Sequence, residues 1–125
     1  MHAPFSQLTE SLIRHRGVLG AMVVGLDDGV MVHSTLQIGV NGNAFAALTA
    51  SLYRKARRSA SAAGFGATGF LELLAEQGRV CAVGGADLVL VVVCEARVNV
   101  GMLRVDLLRA VAQQDGQQGR PLHPE

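Results

Sequence analysis

The sharpest chemical motif in this 125-residue chain is Gly64-Phe65-Gly66-Ala67-Thr68-Gly69, which fits the G-x-G-x-x-G pattern of dinucleotide-binding loops. That chemistry needs a strand before the loop and a helix after it, so that the phosphates meet the positive end of the helix dipole. Here a helical segment precedes and an extended one follows, so the glycines read as a helix stop and a turn. No P-loop lysine pattern occurs, and the chain is not expected to hydrolyse nucleotide itself. His2, His15, His33 and His123 are scattered, and none has metal-ligand spacing with another His or Cys. His33 and Ser34 are adjacent, but a nucleophilic site would also need an orienting acid and an oxyanion hole. Nothing in the sequence points to either, so no catalytic residue, metal or cofactor is expected.

Cys81 and Cys94 fall in apolar runs, where a thiol usually serves as a small core residue. A hairpin closing at Gly84–Asp87 sets Cys81 near Leu90 and Cys94 beside Gln77, several rungs apart and too far for a disulfide. Glu72, Glu76 and Glu95 lie at or near strand positions and read as solvated edge groups that discourage uncontrolled pairing. The cluster Arg54, Lys55, Arg57 and Arg58 has two readings. It is the solvated face of an amphipathic helix, or a patch that meets an acidic surface on a partner protein. Four cations in a chain of net charge +1 are too few to argue for DNA, where affinity scales with phosphate contacts. With no Trp and 4% aromatic residues, stacking platforms for single-stranded nucleic acid are also scarce.

The elements that must position these groups follow from periodicity. Gly17 to Ser34 holds two apolar runs, Val18–Leu26 and Val30–Ser34, around Asp27-Asp28-Gly29, a hairpin signal. The first run is apolar at nearly every position, so it must be covered on both faces, which predicts helices on each side of one sheet. Phe5, Leu8, Leu12 and Ile13 form one helical stripe over Phe5–Arg16, with Pro4 in the first turn and Gly17 as a left-handed cap. A second, longer helix spans about Ala44 to Ala63 and is capped by Asn41 or Asn43. Phe45, Leu48, Leu52, Ala56 and Ala63 share one of its faces, and the basic cluster takes the opposite arc. Strands follow at Phe70–Ala75, Val80–Val83 and Leu88–Val93. A last helix opens after Asn99 with Val100, Leu103, Leu107, Leu108 and Val111 in register, and 114–125 reads as a disordered polar tail beyond a domain of 1–113. The order α-β-β-α-β-β-β-α is one α+β domain with a five-stranded, mostly antiparallel sheet and helices on both faces.

Half of the residues are hydrophobic, enough for a sizeable core, and Ala and Gly favour close helix packing over an aromatic pocket. The longest apolar run falls well short of the roughly 20 residues of a membrane helix. The beginning of the chain lacks a secretory pattern, and two core thiols suit a reducing compartment. A cytoplasmic protein without membrane insertion is expected.

Several features together resemble the Roadblock/LC7 family. They are the Gly17-Val18-Leu19-Gly20-Ala21-Met22-Val23-Val24 strand with its Asp28-Gly29 turn, the helix carrying Ala46-Ala47-Leu48, the glycine-rich link, the Leu88–Val93 strand, and Asn99-Val100-Gly101-Met102-Leu103-Arg104 opening the last helix. The resemblance covers roughly Phe5 to Gln113. It implies a sheet of order 2-1-5-4-3, with the long helix on one face and both terminal helices on the other. It also implies a homodimer in which the Phe70–Ala75 strand pairs with its twin and the long helices lie side by side. Phe45, Leu48, Leu52, Phe70, Leu71 and Leu73 are then the candidate interface residues. Many family members regulate or scaffold small Ras-like GTPases, and bacterial ones of the MglB type stimulate hydrolysis by a partner GTPase. On that resemblance, Arg54, Lys55, Arg57 and Arg58 are the candidate partner surface of a non-catalytic regulator. The alternatives are a scaffold dimer indifferent to nucleotide state and a small-molecule sensory module.

Overall fold

The strand β1 (Val18–Gly25) is buried along most of its length on both faces. Ala21 and Val23 point to one side, Met22 and Val24 to the other. Period-two alternation of uniformly apolar side chains therefore feeds two cores, one on each side of a single sheet. The computed structural model describes the backbone of residues 3–85 and 87–117, and the side chains of residues 7–85 and 87–112.

The other strands are β2 (Met31–Leu36), β3 (Leu71–Ala75), β4 (Gly78–Gly84) and β5 (Leu88–Cys94). They pair in the order β2-β1-β5-β4-β3, and every pairing is antiparallel. Helices α1 (Ala3–Ile13) and α3 (Val100–Gln117) cover one face, where Leu12, Leu103 and Leu107 meet Val23, Cys81 and Val92. Helix α2 (Gly42–Ala62) covers the other, where Ala46, Ala50 and Tyr53 meet Met22, Val91 and Val93. Sheet order, layering and element order are those expected.

Several boundaries differ. α1 ends at Ile13, three residues early, because a chain of turn hydrogen bonds (His15 N–H to Leu12 O, Val18 N–H to His15 O) carries it to Gly17. α3 continues to Gln117, past the expected limit of the domain; the rest of the expected tail, 118–125, lies outside the described residues, as do His2 and His123. Phe5 falls within α1, with its side chain outside the described set.

One correction and one further finding concern packing. The β4–β5 hairpin closes between Gly85 and Leu88, one residue later on each strand than Gly84–Asp87 suggested. Every partner moves by two, so Cys81 faces Val92 and Cys94 faces Arg79. The cysteines are thus diagonal neighbours on one face rather than several rungs apart, both free and fully buried. Their thiols share a hydrogen bond, which holds Cys81 down against its burial and, together with burial, pushes Cys94 up. On α2, the face against the sheet is not the stripe of large residues. It is Gly42, Ala46, Thr49, Ala50 and Tyr53. Small side chains let the helix lie close to the sheet, and the larger Phe45, Leu48 and Leu52 are displaced to its flank.

Candidate interaction surface

Two surfaces flank α2, and different residues build each. The first is apolar. Phe45 and Leu52 are half-buried, while Leu48 is 44% exposed. Beside them lies the edge strand β3, which pairs only with β4 among the described strands. On β3, Leu71 and Leu73 point to the α2 side, with Leu71 against the core and Leu73 41% exposed. Phe45, Val40 and Leu73 line a half-open groove of about 450 Å³ between the start of α2 and β3. Of the expected interface residues, Phe70 alone turns to the opposite face, where Arg104 sits over its ring, 4.9 Å from the centroid. An edge strand with unpaired backbone groups and exposed leucines is a template for pairing. Glu72 on this strand is exposed, and its charge is balanced by an ion pair with Arg79 at 3.0 Å.

The second surface is basic. Arg54, Arg57 and Arg58 surround an open basin of about 770 Å³ at the C-terminal half of α2, completed by Asp27, Ser61, Ala62, Gly66 and Ala67. Lys55 is exposed on the helix but does not line the basin. Among the described residues, no carboxylate forms an ion pair with any of these arginines. Arg54 differs from the other two. Its Nη1 donates to the Leu26 carbonyl at 2.6 Å and to the Asp27 carbonyl at 3.2 Å, tying α2 to the β1–β2 turn. Arg57 and Arg58 are exposed, and neither is ion-paired to a carboxylate among the described residues.

The helix end that shapes this basin carries no dinucleotide chemistry. Gly64 takes φ +82° and donates its N–H to Ser61 O, and Phe65 N–H donates to Ala60 O. This is the Schellman ending, in which a left-handed glycine lets the last carbonyls find donors. The glycine motif therefore stops a helix, as its position in the sequence suggested. His33 and Ser34 lie on successive positions of β2 and so point to opposite faces of the sheet. No cluster of three or more His, Cys, Asp or Glu able to hold a metal occurs among the described residues. Likewise, no described helix is long and apolar enough to cross a membrane.

Sequence reasoning missed Tyr53, which seals the basin end of the sheet. Burial raises its phenol above the usual range, against the lowering effects of the Gly84 N–H and Arg57. It also missed Phe65, which is 83% exposed. The available signal was its setting between two glycines, which leaves an aromatic with few neighbours to cover it.

Comparison with known proteins agrees with this architecture. The uncharacterised protein MJ0310 of Methanocaldococcus jannaschii is 31% identical over 99 residues, 79% of this chain and 86% of that one. The crystal structure of a Roadblock/LC7 domain from Streptomyces avermitilis superposes with a TM-score of 0.80 at 16% identity, covering 90% of this chain and 96% of that one. Myxococcus xanthus MglB superposes with a TM-score of 0.79 at 17% identity, covering 92% and 97%. The Roadblock/LC7 domain model matches residues 4–94, and this chain belongs to that family.

Proposed function

We propose that this chain is a homodimeric, non-catalytic regulatory module that binds a small Ras-like GTPase through the arginine surface of α2. The observation that carries the reading is the basin of Arg54, Arg57 and Arg58, whose guanidinium groups have no carboxylate partner among the described residues. Arginines without a carboxylate partner on a helix suit an acidic protein surface, since guanidinium groups make directional bonds to carboxylates. The MglB-like fold supports the same reading. The apolar flank of α2 and the open edge of β3 supply the self-association surface, since a two-fold contact would join the two edges.

The test is direct binding of the Ras-like GTPase from the same genome, loaded in turn with GDP and with a non-hydrolysable GTP analogue. Tighter binding of the analogue form is expected, and weaker binding after Arg57→Glu with Arg58→Glu. Arg54 is left intact, because reversing it would set a carboxylate against two backbone carbonyls. Equal affinity for both nucleotide forms would identify a scaffold, and no binding would remove the GTPase reading. Turnover by the GTPase with and without the module then separates an activator from a passive binder.

A further inference from the structure

Helix α2 ends by presenting an aromatic ring to solvent. In a Schellman ending, an apolar residue after the glycine usually packs back on the last turn of the helix. Here that residue is Phe65, and the last turn offers Ser59 and Ala60, too small to cover a benzyl group. The ring is 83% exposed. Its backbone is nonetheless fixed, since Phe65 N–H donates to Ala60 O at 2.8 Å and Gly64 N–H donates to Ser61 O at 3.0 Å. A side chain carried on so fixed a backbone has only two torsions left to freeze on binding, a small entropic cost. The next residues, Gly66 and Ala67, line the arginine basin. Phe65 therefore stands at the rim of a surface whose exposed cations are Arg57 and Arg58.

We propose that Phe65 is the apolar anchor of a docking surface at this end of α2, filling a pocket on an acidic protein partner while Arg57 and Arg58 meet carboxylates at the pocket's rim. An aromatic anchor bordered by arginines has the composition of a binding hot spot. The partner must be acidic, because the arginines have no carboxylate partner within this fold among the described residues. An anionic lipid surface fits less well. Asp27 lines the same basin and would be pressed against a continuous layer of headgroups, whereas a protein partner can place its carboxylates at Arg57 and Arg58 alone. The proposal rests on the GTPase reading and adds the residue that gives it specificity.

The chain contains no Trp, so Phe65→Trp creates a single indole reporter. This variant is titrated with the Ras-like GTPase from the same genome bearing a non-hydrolysable GTP analogue, with the parent protein titrated identically for subtraction. A blue shift of the indole emission is expected. Phe65→Ser should weaken binding by about tenfold or more with an unchanged melting temperature, and Arg57→Glu with Arg58→Glu should weaken it as well. If the GTPase binds Phe65→Ser as tightly as the parent and the indole emission stays put, the anchor assignment is wrong while the GTPase reading stands. If the GTPase does not bind the parent protein, both fall. A shift produced by phosphatidylglycerol vesicles and not by the GTPase would replace the protein partner with a lipid surface and overturn the proposal.

Discussion

The phenolic oxygen of Tyr53 accepts the backbone N–H of Gly84 at 2.8 Å. The same hydroxyl donates to the Thr68 carbonyl at 2.9 Å. One buried side chain of α2 thus ties the end of β4 to the link that leads into β3. Gly84 has no room for anything larger, because a Cβ there would lie 2.6 Å from the ring.

Tyr53→Phe should therefore destabilise the fold by about 1–3 kcal/mol, since it strands a backbone donor and an acceptor away from water. Chemical denaturation measures this directly. The pH dependence carries a second signature. Burial raises the phenol above its unfolded value near 10, so the native state keeps a proton that the unfolded state releases. This contribution is intact below pH 10 and is lost as pH rises through the folded value. The stability of the parent should fall more steeply than that of Tyr53→Phe in that range. Tyr53 is the sole tyrosine, so phenolate absorbance reads its titration without interference.

The thiol pair is inert for a different reason. Cys81 and Cys94 are fully buried beneath α1 and α3, and a thiol reacts as its exposed thiolate. A soluble aromatic disulfide reagent should modify neither in the native protein and both in denaturant. Rapid native labelling of either thiol would mean that the α3 side of the sheet opens readily.

How much of this was legible beforehand depends on what each feature rests on. Val18–Val24 and Leu88–Val93 are apolar on both faces, and that alone forces a covered sheet, so the layering could be read from the sequence. The β4–β5 register could not, because Gly84-Gly85-Ala86-Asp87 accepts a turn at either of two neighbouring positions. The even shift that resulted kept each side chain on its expected face while bringing the two cysteines together. On α2 the shared face of Phe45, Leu48 and Leu52 was legible, but the face against the sheet was not, because shape decides it: Ala46 and Ala50 let the helix approach, and Phe45 and Leu48 stay at the flank. The basic cluster was visible as composition. Its division into a tied Arg54 and exposed Arg57 and Arg58 depends on the β1–β2 turn, which no helical pattern encodes.

At the edge of the sheet, Leu73→Arg should convert the proposed dimer to a monomer. Leu73 sits opposite Val80 on the outermost strand and lines the groove beside Phe45. Two copies joined there would face each other's new cation across a two-fold axis. Because Leu73 is 41% exposed, the single chain loses little by the change. Sedimentation over a range of concentrations is the measurement, and a dimer of undiminished strength would place the self-association surface elsewhere.

Thr49 offers the opposite kind of test, a substitution that should help. It lies on the sheet-facing side of α2, only 2% exposed, and its hydroxyl oxygen has no hydrogen-bond partner among the described residues. Burying an unpaired hydroxyl costs free energy that a methyl group of the same shape does not incur. Thr49→Val keeps the β-branch, so helix propensity barely changes. The variant should gain about 1 kcal/mol, seen as a higher urea midpoint at an unchanged slope. Thr49→Ser makes the contrast, because it keeps the hydroxyl and removes the packed methyl, and its midpoint should fall. If valine lowered the midpoint and serine preserved it, the hydroxyl would be the group that matters, and the packing of Ala46, Ala50 and Tyr53 on the sheet would need a polar tie in its centre.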